Sequence, residues 1–224
     1  MGKSRLSWKI KESERVIRKA LDKWWPNVGV AFTGGKDSMV LVHLMKQITN
    51  DIPKLMFIDH SLHFPETIKF AEKLAKDWEL NLITVKPKKA LAKLAKEKDL
   101  EKRGKASRIG KIEAINEAIG KYNWKALMVG IRWDEHPVRA NEKYFSKRES
   151  HWRVHPILHF TEKEIWGYIK KFGVPYNPLY DQGYRSLGEK EFTKPVKSKD
   201  SPERGGRETD KEKIMQRLRA LGYF

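Results

Sequence analysis

The segment Thr33-Gly34-Gly35-Lys36-Asp37-Ser38 brings together two hydroxyls, two glycines, a lysine and a carboxylate. Paired glycines let the backbone approach a phosphate closely and turn its N–H groups outward. A helix starting just after them adds the partial positive charge of its N-terminus. Lys36 offsets phosphate charge, and Thr33 and Ser38 are hydroxyl donors. Gly34-Gly35 alone would serve equally as a tight strand-to-helix connection; the complete string is what carries the phosphate-binding meaning. Its spacing is not GxxxxGK[ST], which disfavours γ-phosphate hydrolysis of the Walker type. Asp37 sits awkwardly beside phosphate unless it caps the helix or holds Mg²⁺, which binds through one or two carboxylates plus phosphates. Asp59, at the end of a second apolar run, reads either as a ribose or metal contact or as a turn aspartate.

Arginine supplies the second chemical feature. Gly130 ends an apolar run, and Arg132 follows it on the expected ligand-facing edge; Arg139 comes soon after, and Arg204 and Arg207 flank Gly205-Gly206. A planar guanidinium fork suits bidentate capture of an oxyanion. The bland alternative is a solvated arginine in a basic protein. His136, His151, His155 and His159 match no zinc spacing and read as surface or partly buried imidazoles. Trp24-Trp25, Trp152 and Trp166 read as core or interface aromatics.

The elements that must position these groups alternate. Leu6–Trp25 reads as an amphipathic helix and Val28–Phe32 as a buried strand, followed by a helix over Asp37–Gln47. Strands are expected at Lys54–Asp59, Asn81–Val85, Ala126–Gly130 and Trp152–Pro156, with helices at Pro65–Trp78 (Pro65 suits a first helical position) and Ser107–Tyr122. Thr161-Glu162-Lys163-Glu164 is a capping box opening a helix over Glu162–Phe172, which Gly173 and Pro175 end. Strands alternating with helices imply an α/β fold, a mostly parallel five-stranded sheet sandwiched by helices. Residues 1–176 are expected to form the nucleotide-binding domain with its N-terminal helix. Residues 177–224, a long loop over Asn177–Thr209 and a helix over Asp210–Leu221, are expected to complete the site.

Composition narrows the classes. The 224 residues contain no cysteine, so disulfides, zinc–thiolate sites, cysteine-held iron–sulfur clusters and a thiolate nucleophile on this chain are excluded. A net charge of +18 points to polyanionic partners. The stretch Lys86–Lys111 reads as a solvated helical face or, more sharply, as an RNA-binding patch. No run of about 18 apolar residues suggests a membrane span. The charged N-terminus lacks a secretory signal, and a cytoplasmic protein is expected. The Lys- and Glu-rich, Cys-free composition resembles that of a thermophile.

AFTGGKDSMVLVHL resembles the SGGKDS loop of the PP-loop ATP pyrophosphatases, with Thr33 for the usual serine. The resemblance implies an adenine nucleotide alpha hydrolase-like fold, ATP with Mg²⁺ at Thr33–Ser38, Asp59, Gly130, Arg132 and Arg139, and a metal contact at Asp37. Phe57-Ile58-Asp59 with His63-Phe64-Pro65-Glu66-Thr67 is similar to the "DT…FPET" segment of the phosphoadenosine phosphosulfate reductase branch. Gly130-Ile131-Arg132-Trp133-Asp134-Glu135 with Arg139-Ala140, and the tail Glu203-Arg204-Gly205-Gly206-Arg207 with Leu221-Gly222-Tyr223-Phe224, resemble the small catalytic subunit of sulfate adenylyltransferase. In this branch Tyr184-Arg185-Ser186-Leu187-Gly188 is normally followed by cysteine. Here Glu189 stands there, and Phe192 takes a second cysteine position. The resemblance therefore implies adenylyl transfer from ATP to sulfate or another oxyanion with release of pyrophosphate. Lys36, Arg132, Arg204 and Arg207 would be the catalytic groups, in a homo-oligomer with a GTPase partner subunit. Adenylation of a tRNA base and a non-catalytic nucleotide sensor are the alternatives. A thiol-dependent sulfonucleotide reductase is disfavoured for want of cysteine.

Overall fold

The computed structural model describes residues 2–196, 201–207 and 215–220. Its elements run α1 (Gly2–Trp24), β1 (Val28–Ala31), α2 (Lys36–Lys46), β2 (Lys54–Ile58), α3 (Pro65–Asp77), β3 (Leu82–Val85), α4 (Lys88–Lys96), α5 (Leu100–Lys121) and β4 (Ala126–Val129). After two short 3₁₀ turns come β5 (Phe145–Lys147), β6 (Trp152–Val154), α6 (Glu162–Phe172), two further 3₁₀ turns and α7 (Met215–Ala220). The sheet has six strands in the order β3-β2-β1-β4-β6-β5, all parallel except β5, which runs antiparallel to β6. The expectation of five strands misses β5: three residues of Phe-Ser-Lys at a sheet edge carry no apolar period to read.

The strands feed two cores because successive side chains point to opposite faces. Val28, Val30, Leu55, Phe57, Ala126, Met128 and Val154 join α1, α2, α3 and α6 in the larger core. Met56 and Leu127 pack with Ile115, Ala118 and Ile119 of α5 on the other face. Both faces being covered, β1 and β4 read as continuous apolar runs, as parallel strands do. On the α5 side Gly29 lies under the Trp124 ring, where a Cβ would come within 2.5 Å of a ring atom. α2 is buried almost all round, from Lys36 and Ser38 through Met45, since it lies between the sheet and α1 and α6. The Thr161/Glu164 capping box forms as read, and Gly173 closes α6 at φ +60°. The basic stretch is helical from Lys88, and α5 starts at Leu100 rather than Ser107, capped by Asp99 accepting from the Lys102 amide at 2.9 Å. Of the expected helix over Asp210–Leu221, only residues 215–220 lie within the described residues. Among the described residues no helix is long and apolar enough to cross a membrane.

A polar seam docks α7 against the β5–β6 edge. The buried Glu142 carboxylate accepts from Arg219, accepts from Ser146 Oγ at 3.1 Å and lies 3.6 Å from Arg148 Nη2. His151 and His155 are buried on the same edge. Burial first, then the nearby Arg153 and Arg148 charges, push both imidazoles down to about 4, against the opposing pull of Glu142 on His155.

Two outcomes follow from this packing. Gly29→Ala is expected to destabilise the fold by about 1–3 kcal/mol through overpacking against Trp124, with partial recovery when Trp124→Leu is added, both read by urea unfolding. The two neutral histidines are protonated in the unfolded chain below about pH 6.5 but not in the fold. Their contribution is therefore complete above that pH and is lost as pH falls towards 4. Stability should drop by up to about 1.4 kcal/mol per pH unit per histidine in that window, and His155→Gln should flatten the profile.

Candidate nucleotide-binding cleft

Strand order places the cleft. From β1 the chain winds outward through β2 and β3 in one direction, and β4 and β6 continue in the other, so the sheet reverses between β1 and β4. Such reversal leaves a crevice beyond the carboxyl ends of those strands. The loop 33–38 leaves β1 there, and Gly130 leaves β4 beside it. A Cβ on Gly130 would stand 3.0 Å from the Asp37 carbonyl group and 3.1 Å from the Ser38 amide nitrogen, so glycine here lets the end of β4 approach the first turn of α2 closely.

The loop is tied by its own side chains. Gly34 takes φ +71°, a left-handed turn that favours glycine. The Thr33 hydroxyl accepts from the Gly35 amide at 3.3 Å and lies 3.2 Å from Ser38 Oγ, which donates to the Gly35 carbonyl at 2.8 Å. The Lys36 amide donates to the Tyr180 hydroxyl at 2.8 Å. Tyr180, on the 3₁₀ turn Pro178–Gln182, is a cleft residue that the sequence reading passed over. Burial pushes its phenol up to about 12.

Lys36 and Arg132 are both fully buried. Lys36 Nζ donates to the Arg185 carbonyl at 3.1 Å, pairs with Glu203 and lies 3.5 Å from Asp37 Oδ2. Arg132 donates to Asp37 and Glu203 through its two terminal nitrogens and to Asp134 Oδ1 through Nε at 2.9 Å. Burial disfavours both charges, but Asp37 and Glu203 outweigh it and hold each cation above its ordinary pKa. Asp37 thus faces two cations, and among the described residues no group of three His, Asp or Glu side chains gathers around a metal position. The carboxyl of Glu203 is pushed up by burial, with Asp37 and Glu135 adding to the effect against Lys36 and Arg132.

Arg139 and Arg204 converge on one carboxylate, Glu135, with Arg204 Nη1 at 2.8 Å from Oε1. Burial opposes the Glu135 charge, but these two arginines hold its pKa below the ordinary value. Arg207 donates to the Ser186 hydroxyl at 3.2 Å and to the Leu187 carbonyl, next to Gly188, where a Cβ would strike the guanidinium at 2.4 Å.

The cleft is lined by Thr33, Gly35, Lys36 and Asp37, by Gly130, and by Arg139, Arg204 and Arg207. Its floor is apolar, with Met56, Ile58, Ile115 and Val129. Lys111, Arg153, His60 and His63 also border it; of these the sequence reading names only His63, in the FPET-like segment, and Lys111, at the end of the basic stretch, neither as a site residue. Among the described residues its lining carries six lysine and arginine side chains against the two carboxylates of Asp37 and Glu135, which suits an anion. Neither Arg132 nor its partner Glu203 is among the lining residues. Asp59 also stays outside the lining: it accepts from the Ser61 amide at 3.0 Å and lies 3.4 Å from Lys86, which is the turn reading. Glu189 and Phe192, at the positions of the expected cysteines, are structural contacts. Glu189 accepts from Ser107 Oγ at 3.2 Å and pairs with Lys111, while Phe192 packs with Leu62, Leu94 and Ala106.

Residues 27–195 match the phosphoadenosine phosphosulfate reductase domain. An adenosine 5'-phosphosulfate reductase of Bacillus cereus (strain 03BB102) is 35% identical over 198 residues, covering 85% of this chain and 79% of the relative. One of Halalkalibacterium halodurans is 31% identical over 209 residues, covering 88% and 87%. Among solved structures, Candida auris phosphoadenylyl-sulfate reductase in a phosphate complex superposes with a TM-score of 0.67 at 20% identity, covering 88% of this chain and 98% of that one. Candida glabrata FMN adenylyltransferase with FAD and inorganic pyrophosphate gives 0.69 at 22%, covering 89% and 70%. The two structural likenesses speak for the fold.

These relatives correct the expectation of adenylyl sulfate formation. The homologues are named for reducing the compound that such a reaction would make. The missing cysteine disfavours only a reductase that attacks with a thiol of its own. Its absence rules out a covalent thiol intermediate on these 224 residues, but not attack by a thiol carried on another molecule. By its match over residues 27–195 and its identity to these relatives, the chain belongs to the phosphoadenosine phosphosulfate reductase domain family of the PP-loop superfamily.

Proposed function

We propose that the chain binds an adenosine sulfonucleotide of the adenosine 5'-phosphosulfate type and transfers its sulfonyl group to a thiol brought by a second molecule. The observation that carries this reading is the cation-lined cleft at the phosphate loop of a chain 35% identical to reductases named for that substrate. Phosphoryl oxygens take the Lys36 ammonium and the loop amides, those of Gly35 and Lys36 exchanging their bonds to Thr33 Oγ1 and Tyr180 Oη for the ligand, while the sulfonyl end lies towards Arg139, Arg204 and Arg207.

The thiolate attacks sulfur in line. The S–S bond forms as the bond from sulfur to the bridging oxygen breaks, and that oxygen leaves with the electron pair on AMP. A second thiolate then attacks the sulfenyl sulfur of the S-sulfonate, giving a disulfide and sulfite, so two thiols supply the two electrons. The chain's own contribution is positioning and charge neutralisation. Arginines lower the barrier by stabilising the oxygens that gain charge, and the apolar floor keeps the base flat and water out. In this reading the adenosine nucleotide in the cleft is substrate, and ATP is a competing ligand.

Incubating the chain with adenosine 5'-phosphosulfate and dithiothreitol, glutathione or reduced thioredoxin should release AMP and sulfite in equal amounts, faster than the uncatalysed mixture. No acceleration with any of the three, together with pyrophosphate release from ATP and sulfate, would overturn the reading. Gly35→Val tests the loop: its Cβ would meet only Thr33 Oγ1 at 3.3 Å and Tyr180 Oη at 3.4 Å, so the fold survives. The branched side chain nevertheless shields the loop amides. Nucleotide binding should weaken at least about tenfold, in line with the loss of a charge-assisted hydrogen bond, with little change in the thermal midpoint. Lys36→Ala is expected to behave differently. It leaves Glu203 and Asp37 with Arg132 as their remaining cation and should cost stability as well as binding, by about 1–3 kcal/mol.

A further inference from the structure

The anion that Lys36 and Arg132 hold belongs to the chain itself. One carboxylate oxygen of Glu203 accepts from Lys36 and the other from Arg132. The two donors belong to elements that flank the β1–β4 reversal, whereas Glu203 arrives from a strap, residues 201–207, far along the chain. The strap is seated independently of this contact. The Lys194 amide donates to the Gly206 carbonyl at 2.9 Å, Arg204 pairs with Glu135, and Arg207 donates to Ser186 Oγ at 3.2 Å. A Cβ on Gly206 would lie 2.1 Å from the Lys194 carbonyl oxygen, so the seat admits only glycine.

A carboxylate and a phosphoryl group present the same thing to two cations: a pair of anionic oxygens on one centre. Of Lys36, Arg132 and Glu203, only Lys36 lines the cleft, and it spends its ammonium on Glu203 and the Arg185 carbonyl; Glu203 and Arg132 lie beyond the lining, next to it. Asp37 already faces both cations, so Glu203 is a second carboxylate in the same network and not the sole counter-charge. We propose that Glu203 is an internal competitor for the anion subsite. In the ligand-free chain its carboxylate fills the position that a nucleotide's phosphoryl oxygens take, and a ligand binds by displacing it. Glu203 is then a specificity determinant. A monoanion gains little by replacing one carboxylate with another, whereas a group of higher charge density, such as pyrophosphate or a phosphosulfate, profits from both cations. The proposal rests on the phosphate-subsite reading of residues 33–38.

The test is titration calorimetry of the whole chain with inorganic pyrophosphate and with adenosine 5'-phosphosulfate, comparing wild type with Glu203→Gln and Glu203→Asp. Removing an occupant that leaves the subsite open only a small fraction of the time raises apparent affinity by the inverse of that fraction. Glu203→Gln should therefore bind pyrophosphate about tenfold to a hundredfold more tightly. Its ligand-free melting temperature should be lower and its pyrophosphate-induced rise larger. Glu203→Asp, too short to span both cations, should move the same way by less, and serves if the glutamine variant does not fold. Unchanged or weaker binding in the variants, with binding by wild type, would overturn the competitor role and leave the subsite reading standing. No binding of either anion by any of the three proteins would overturn both.

Discussion

Two cations buried side by side at the reversal of the sheet are the constraint around which the rest of this molecule is arranged. Lys36 and Arg132 have essentially no solvent of their own, and a charge removed from water must be paired or neutralised. Asp37, Asp134 and Glu203 supply the pairing, and each is delivered by a different part of the chain. α2 brings Asp37 next to Lys36, the 3₁₀ turn after β4 brings Asp134, and the strap brings Glu203. Asp134 also accepts from the Glu162 amide at 3.0 Å, so the same network fixes the start of α6. The charge cluster therefore joins the phosphate loop, the arginine segment and the C-terminal strap into one unit. Its requirement for anions sets the crevice apart from a packed apolar seam.

Functional meaning comes from the imbalance around that unit. Glu135 gathers Arg139 and Arg204 into a pair whose positions are locked before any ligand arrives, which lowers the cost of orienting them. Close approaches at Gly130, Gly188 and Gly206 bring β4, the 184–188 segment and the strap against the same crevice. Glu189 and Phe192 dock that segment on α4 and α5 by an ion pair and an apolar contact, fastening it without any sulfur chemistry. A chain whose own groups bind and orient but offer no thiol is coherent if the reducing equivalents arrive on another molecule.

Much of this was legible in the sequence because the relevant signals are local. The glycine pair after a buried strand, the capping box at Thr161 and the regular alternation of apolar runs each have a short-range physical cause. The sixth strand was not legible, since three residues at an edge gain their form from pairing with β6 and not from their own pattern. Site roles divided in the same way. The string 33–38 declares itself, but that Asp59 caps a turn, that Tyr180 holds the Lys36 amide, and that Glu203 rather than solvent faces Arg132 depend on contacts across 71 to 144 residues of chain for the latter two. Chemistry inferred from a missing residue was the weakest step. The lack of cysteine bears on which intermediates these residues can form, and says nothing of a thiol supplied from outside.

The most direct measurement is a crystal structure of the chain grown with AMP or adenosine 5'-phosphosulfate. The account requires the nucleotide's phosphorus against the amides of residues 34–36, Glu203 withdrawn from Lys36 and Arg132, and the base on the floor of Met56, Ile58 and Val129. A nucleotide bound elsewhere, with Glu203 still bridging the two cations and the loop amides untouched, would contradict it.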